Sequence, residues 1–436
     1  MQIRGYSIYS LTRLDFRRCY LRSQGVSLME LRSERSPFLS LKTSIKSFVQ
    51  LVWLLTARRK IDNLILSFPR LDMISGQYMD KFTDPIIDFS DIKNSYIILD
   101  HGRGGKHETP RYHKNNVIWI DSISVITSLL SSLGVGRFRK RNEEQLDVFF
   151  AKVNSFIEPS SYNRAEIEKR LLGYLYSGYL YELIYKRLNV KNVFSVTRPV
   201  SELRAARKCG AMTFELQHGI TYNDTTLYSG FMDEEMIPNY FLAFGNHEPK
   251  NVYGINPKRI INIGWAFEEM VKKTNVSIKI NPRDILVVSE PQVSDAIIAA
   301  VEVLASDYPE YRFYLRPHPQ EHYSDTQLSK IAQLPNFELQ DNRINISVVL
   351  YSFEFVIGES STVLYEALSM GKKVGKLYMK GLTPKYLKEE DTGAFCKITG
   401  SGDFGHFISG EWHPSIRMSI YSPYDANKLN SLIKRY

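Results

Sequence analysis

Four short stretches carry residues whose types and spacing suit chemistry on a phosphate ester. In Gly358-Glu-Ser-Ser-Thr-Val-Leu-Tyr-Glu-Ala-Leu-Ser-Met-Gly371, a strand end is followed by hydroxyl residues that open a helix. Ser360, Ser361 and Thr362 there offer amides and hydroxyls where the helix dipole favours an anion such as phosphate, although plain N-capping uses the same residues. Glu366 follows one turn later, placed to accept hydrogen bonds from ribose hydroxyls. In Leu315-Arg-Pro-His-Pro319 two prolines stiffen a loop directly after a strand, so Arg316, His318 and Pro319 form a second candidate for donor binding. The third stretch, Glu215-Leu-Gln-His-Gly219, ends another strand; His218 suits proton transfer near neutral pH, and Gln217 and Gly219 shape its turn. The fourth, Asp100-His-Gly-Arg-Gly-Gly-Lys-His107, is glycine-rich but lacks the spacing of a P-loop. Asp100 or His101 is nonetheless an alternative base or acceptor-binding group, and His218 and Asp100 both remain candidates for catalysis. No Asp-x-Asp triplet occurs to hold a metal on a diphosphate. Leaving-group charge then falls to a helix N-terminus with Arg and His, and neither a metal nor another cofactor is expected.

These residues need strands that end where they begin. Short apolar runs at Asn63–Phe68, Ser95–Asp100, Asn116–Asp121, Val193–Thr197, Met212–Gln217, Tyr240–Gly245 and Arg259–Gly264 alternate with helical patterns, and residues 142–190 are helical throughout. Alternation of this kind predicts a parallel sheet. A polar stretch from Glu268 to Pro282 separates this series from a second one at Asp284–Ser289, Arg312–Arg316, Phe353–Gly358 and Lys373–Leu377. The expected fold is therefore α/β, with two Rossmann-like domains facing a central cleft. Residues 1–268 form an acceptor domain with a basic helical start, and residues 269–436 form a nucleotide-donor domain whose last helix packs back on the first. Ligands of such sheets lie outside the carboxyl ends of the strands, which brings Gly264 and Glu290 into the expected cleft as well.

At 436 residues with 43% hydrophobic and 24% charged residues, the chain has ample material for a core and is not a disordered polymer. Its three cysteines are widely spaced, which fits a reducing cytoplasm better than a disulfide framework. The net charge of +9 is concentrated: residues 1–60 hold twelve Lys/Arg against three acids. Such a segment attracts an anionic membrane face or an acidic substrate, while no motif of a nucleic-acid binder accompanies it. Within it, Lys46 to Lys60 reads either as a buried helix with solvated ends or as a basic-flanked helix resting in a membrane interface.

Taken in order, Leu216-Gln-His-Gly219, the run from Gly245 to Gly264, Ile285 to Gln292, Arg316-Pro-His-Pro319 and the stretch from Gly358 resemble landmarks of GT-B glycosyltransferases that build bacterial capsules, lipopolysaccharides and teichoic acids. The resemblance covers about residues 190–375. The His318-Pro319 pair and the Ser360-Ser361-Thr362 cluster look like those of sialyl- and Kdo-transferases, which bind CMP donors. The histidine pattern is also similar to that of CDP-glycerol glycerophosphotransferases. The resemblance implies a metal-independent, inverting transferase moving a sugar, CMP-activated sialic acid or Kdo by preference, to a glycan or lipid-linked glycan. It would work in the cytoplasm or peripherally on the inner membrane face. A polyol-phosphate transferase, a silent scaffold of a polysaccharide-synthesis complex and a sugar-nucleotide epimerase are the alternatives.

Overall fold

The structure, a computed structural model, describes residues 2–3, 5–23, 41–68, 71–102, 106–219, 232–245, 254–273, 280–319, 321–342, 344–382, 393–414 and 421–435. Parts of the stretches named above lie outside the described set: residues 4 and 24–40 of the basic segment, residues 103–105 and residues 246–253.

Two basic-segment helices lead, α1 (Ile8–Ser23) and α2 (Leu41–Thr56). The first large sheet contains β1 (Asn63–Leu66), β2 (Tyr96–Asp100), β3 (Val117–Trp119), β4 (Asn192–Ser195), β5 (Met212–Leu216), β6 (Tyr240–Ala243) and β7 (Ile260–Asn262). Helices α3 (Asp121–Arg141), α4 (Arg164–Leu188) and α5 (Val200–Lys208) cross over between its strands. The second sheet contains β8 (Asp284–Val288), β9 (Arg312–Arg316), β10 (Phe337–Leu339), β11 (Phe355–Gly358), β12 (Lys373–Leu377) and β13 (Cys396–Ile398). Helix α6 (Ser294–Asp307) follows β8, α7 (Thr362–Ser369) follows β11, and α8 (Ala426–Ile433) ends the chain.

Both sheets are parallel throughout, as continuous Val/Ile/Leu runs buried on both faces require. The seven-stranded sheet runs β7-β6-β5-β4-β1-β2-β3 and the six-stranded sheet β10-β9-β8-β11-β12-β13. Strand order reverses between β1 and β4 in the first and between β8 and β11 in the second. At these two points the crossover helices diverge, leaving a crevice beyond the strand ends. The sequence signals missed β10 and β13, both three residues long, and a hairpin between Asp72 and Met79.

One apolar cluster joins the domains, running from Ile65, Phe82 and Phe214 in the first to Val288, Leu364 and Tyr365 in the second. The chain end returns across the boundary: Ser422 N donates to Phe244 O at 2.7 Å, Trp265 N to Ser422 O at 2.9 Å, and Asp425 N to Ile263 O at 2.8 Å. Asn430 on α8 accepts from Asp91 N at 2.8 Å, and Lys434 pairs with Asp91 at 2.9 Å.

This return explains Gly264, which the sequence placed in the cleft. Its φ is +76°, and a Cβ would overlap the carbonyl oxygen of Pro423. Gly264 is a hinge-packing residue rather than a cleft one. Replacement Gly264→Ala combines a left-handed backbone with a backbone clash and is expected to cost about 2 kcal/mol or more. Chemical denaturation measures this; an unchanged midpoint would show that the return segment yields freely.

Candidate functional site

The loop after β1 reaches the cleft because one buried carboxylate organises it. Asp80 accepts hydrogen bonds from Phe68 N at 2.8 Å, Phe82 N at 2.9 Å and the Thr83 hydroxyl at 2.7 Å. Asp84 beside it pairs with Arg111. Burial first, and Asp84 second, push the Asp80 carboxyl up to about 6. The loop thereby presents Phe68, Lys81 and Phe82 on one side.

His218 meets those rings, with Phe68 at 4.7 Å and Phe82 at 5.4 Å between centroids. It is half-buried at the end of β5. Gln217 braces the turn, its amide nitrogen donating to Gly219 O and its oxygen accepting from Phe244 N, both at 2.9 Å. Behind it the buried Arg198–Glu215 pair, 2.8 Å apart, anchors β5. A Cβ on Gly219 would sit 3.4 Å from the Thr362 methyl group. The His218-Gly219 turn of the first domain thus faces the first residue of α7 in the second.

On the second domain, Ser361 caps α7 through Val363 N at 3.4 Å. Ser360 N donates to Glu290 at 3.2 Å, and the Ser360 hydroxyl bonds Glu359. Glu290 ends β8 and Glu359 ends β11, so two carboxylates occupy the reversal point of this sheet. Burial, then the charge of Glu359, push Glu290 up to about 7, while the buried Lys376 pulls the other way. Glu321 joins them, accepting from the Ser289 hydroxyl at 2.7 Å and from His318 N. His318 is therefore held at the rim by its own backbone, with Pro319 exposed beside it.

Two expected donor contacts are directed elsewhere. Arg316 is buried, and its guanidinium donates to the carbonyls of Asp341, Asn342 and Ile344. Burial lowers it to about 10. Arg316 supports the loop after β10 instead of reaching into the cleft. Glu366 accepts from the Ser347 hydroxyl at 3.0 Å and pairs across the domain boundary with Lys81 at 3.7 Å. A ribose would have to displace Lys81 to use it.

Asp100 is likewise engaged. His107 bonds Asp100 at 2.8 Å through one ring nitrogen and Asp121 at 2.7 Å through the other, while stacking on Trp119 at 4.0 Å. Burial opposes a charge on His107, yet the bonds to Asp100 and Asp121 outweigh it and raise the imidazole to about 9. Asp100 is one arm of a buried ion triad, which leaves it a positioning group next to His101. Among the described residues, no group of three or more His, Cys, Asp or Glu is arranged to hold a metal.

Neither a known sequence family nor a characterised protein matches the chain by sequence. Solved structures do match its coordinates. A UDP-GlcNAc 2-epimerase from Neisseria meningitidis, bound to UDP-GlcNAc, aligns at 13% identity over 86% of this chain and 98% of its own, with a TM-score of 0.51. The wall teichoic acid polymerase TagF aligns at 11% identity over 97% and 98%, with a TM-score of 0.47. MurG from Acinetobacter baumannii aligns at 10% over 86% and 100%, with a TM-score of 0.46. The fold has the GT-B architecture: two Rossmann-like domains on either side of a cleft.

Sequence reasoning passed over Phe68, Lys81, Phe82, Glu202 and Glu359. A signal existed for two of them, since Phe68 lies just past a strand's carboxyl end and Glu202 opens the helix after β4. Nothing local marks Lys81, whose role comes from Asp80 folding the loop.

The triad makes a prediction about pH. The folded-state value of His107 is raised above the ordinary 6.5 or so, so its stabilisation is fully present below that pH and is lost as pH rises through about 9. Urea melts from pH 6 to pH 10 should show a decline of a few kcal/mol that His107→Gln flattens. An identical slope in both proteins would refute the assignment.

Proposed function

We propose that the chain is a nucleotide-sugar-dependent glycosyltransferase of bacterial surface polysaccharide synthesis, working without a metal ion. One observation carries the reading: His218-Gly219 faces Thr362 of α7, while the His218 ring shares Phe68 with the crevice of the first domain. A proton acceptor is thereby set between an acceptor-side crevice and a helix N-terminus suited to a phosphate. The sequence resemblance supports a CMP-activated sialic acid or Kdo donor and a glycan or lipid-linked acceptor.

In this reading His218 takes the proton of the acceptor hydroxyl as that oxygen bonds the anomeric carbon. The bond from that carbon to the donor phosphate oxygen breaks, and its electron pair leaves with the nucleotide. Attack opposite the leaving group inverts the centre. Amides and hydroxyls of Ser360, Ser361 and Thr362, with His318 at the rim, receive the departing charge. His218→Ala should lower turnover by about 10²- to 10⁴-fold while leaving the thermal shift with nucleotide unchanged. Normal turnover would remove the base role. Product analysis distinguishes the alternatives: an epimerised sugar formed without acceptor, or transfer of a polyol phosphate from a CDP donor, would each replace this reading. CMP against UDP in the thermal-shift assay tests the nucleotide.

Glu290 makes donor binding pH-dependent. A donor phosphate competes with this carboxylate for Ser360 N–H, and the carboxylate is charged above about pH 7. Nucleotide affinity is therefore expected to fall as pH rises through 7, and Glu290→Gln to remove the fall. Retention of the same fall in the variant would place its cause in another group.

The same reading includes an anionic membrane face as partner. Among the described residues no helix is long and apolar enough to cross a membrane. Helix α2 buries Ser47, Leu51 and Leu54 but turns Ile45, Phe48, Val49, Val52 and Trp53 outward, Val49 at 60% exposure. It contains no acidic residue, carries Lys42 and Lys46, and is followed by Arg58, Arg59 and Lys60. Its neighbour α3 exposes Val125, Leu129, Leu130 and Leu133. Arg13, in contrast, is buried near Arg198 and Glu215, so the basic segment is not one continuous surface. The chain should float with vesicles containing phosphatidylglycerol. Charge removal at Lys42, Lys46, Arg58 and Arg59 should weaken this by roughly fivefold per well-placed base. Flotation unaffected by those changes would refute the electrostatic part.

A further inference from the structure

The reversal point of the first sheet holds a cavity of about 160 Å³ that the sequence motifs did not mark. It lies beyond the ends of β1, β4 and β2, lined by Ser67, Phe68, His101, Ser195, Thr197 and Glu202, with Tyr181 closing one side. This is close to the roughly 150 Å³ of an engineered cavity that accepts benzene, so it holds one six-membered ring. Two observations show that it is lined for a ligand. Ser195 is 1% exposed, and its hydroxyl has no hydrogen-bond partner among the described residues. Buried polar groups are rarely left so. Glu202 meets no cation among the described residues; burial raises its carboxyl to about 7, and only its own amide favours the charged form.

The lining also says what kind of ring fits. Among the described residues no Lys or Arg contributes to it, so a carboxylate or phosphate would meet no counter-charge from them. Burial keeps His101 below its ordinary value and Tyr181 well above its own, so neither supplies charge to an anion. Hydroxyls from Ser67, Ser195, Thr197 and Tyr181 and the Glu202 carboxyl give several hydrogen-bonding groups around one aromatic face. Phe68 supplies that face and is the same ring that packs on His218. We propose that this cavity binds an uncharged, hydroxyl-bearing pyranose, the terminal residue of the acceptor, with Glu202 selecting against acidic sugars. The pocket and its charge preference stand on the cavity itself; only the word acceptor rests on the transfer reading above.

Saturation-transfer NMR on the full chain tests this with methyl glucoside, methyl galactoside and glucuronate as probes. The neutral glycosides should bind at least tenfold more tightly than glucuronate. Glu202→Gln keeps the shape of the side chain and should shrink that discrimination severalfold without altering the thermal shift with nucleotide. Ser195→Val, which removes the orphan hydroxyl, should weaken both neutral probes. Equal binding of neutral and acidic probes, unchanged discrimination in Glu202→Gln, or no saturation transfer to either neutral glycoside would each overturn the proposal. Failure here with an intact nucleotide shift leaves the donor half of the transfer reading standing, whereas loss of the nucleotide shift in the unaltered chain would strike that reading alone.

Discussion

A single buried carboxylate, Asp80, sets the geometry on which the cleft depends. Its bonds to two amides and a hydroxyl fold the loop after β1 so that Phe68, Lys81 and Phe82 project together. From that loop come both rings that hold His218, one wall of the acceptor-side cavity, and the cation that crosses to Glu366. Taking a carboxylate out of water is costly, and three hydrogen bonds offset only part of the cost, as the rise of its carboxyl to about 6 shows. A loop fixed by an apolar anchor alone would bury its own polar backbone without partners. The carboxylate satisfies that backbone and so fixes its direction.

The two reversal points are chemically alike in an unexpected way: among the described residues, Glu202 at the first and Glu290 with Glu359 at the second form no ion pair. In the second domain the Ser360 amide, just ahead of α7, already donates to Glu290. On the transfer reading proposed above, the carboxylate would stand where a donor phosphate would bind. Like charges crowded at Glu290, Glu359 and Glu321 cost stability, and Lys376 beneath Tyr365 relieves only part of it. Such unrelieved charge belongs where exchange with a ligand repays it. The Lys81–Glu366 pair also crosses between the domains, at 3.7 Å.

The architecture was legible because burial on both faces of a parallel sheet demands unbroken apolar runs, and β1, β2, β8 and β11 have them. The strands β10 and β13 were not, since three residues at a sheet edge carry no period long enough to read. Of the site, the positions at strand ends were legible as positions. Gly219, next to His218, lies against Thr362, because both follow carboxyl ends of strands whose sheets oppose. Residue type misled at Arg316: a guanidinium suggests phosphate, but this buried one meets the carbonyls of the loop after β10. Gly264 misled for a related reason. Its neighbour is the chain end more than 150 residues later, a contact that no local pattern announces.

Distance between the two crevices decides how they must cooperate. Phe68 lies in the wall of the first and against His218, and Gly219 touches the rim of the second. Little separates them but one imidazole and one glycine. On the transfer reading proposed above, a ring held in the first crevice would need no large domain motion to present a hydroxyl to His218, whereas a donor would have to part Lys81 from Glu366 and Glu290 from Ser360 N–H. On that reading the rearrangement would fall on the second domain, with the first as its reference. This division follows from where the buried ion pairs lie. Those of the first domain, Arg198–Glu215 and Arg111–Asp84, are enclosed in its own core and stay fixed, while the Lys81–Glu366 pair spans the boundary and is longer, at 3.7 Å.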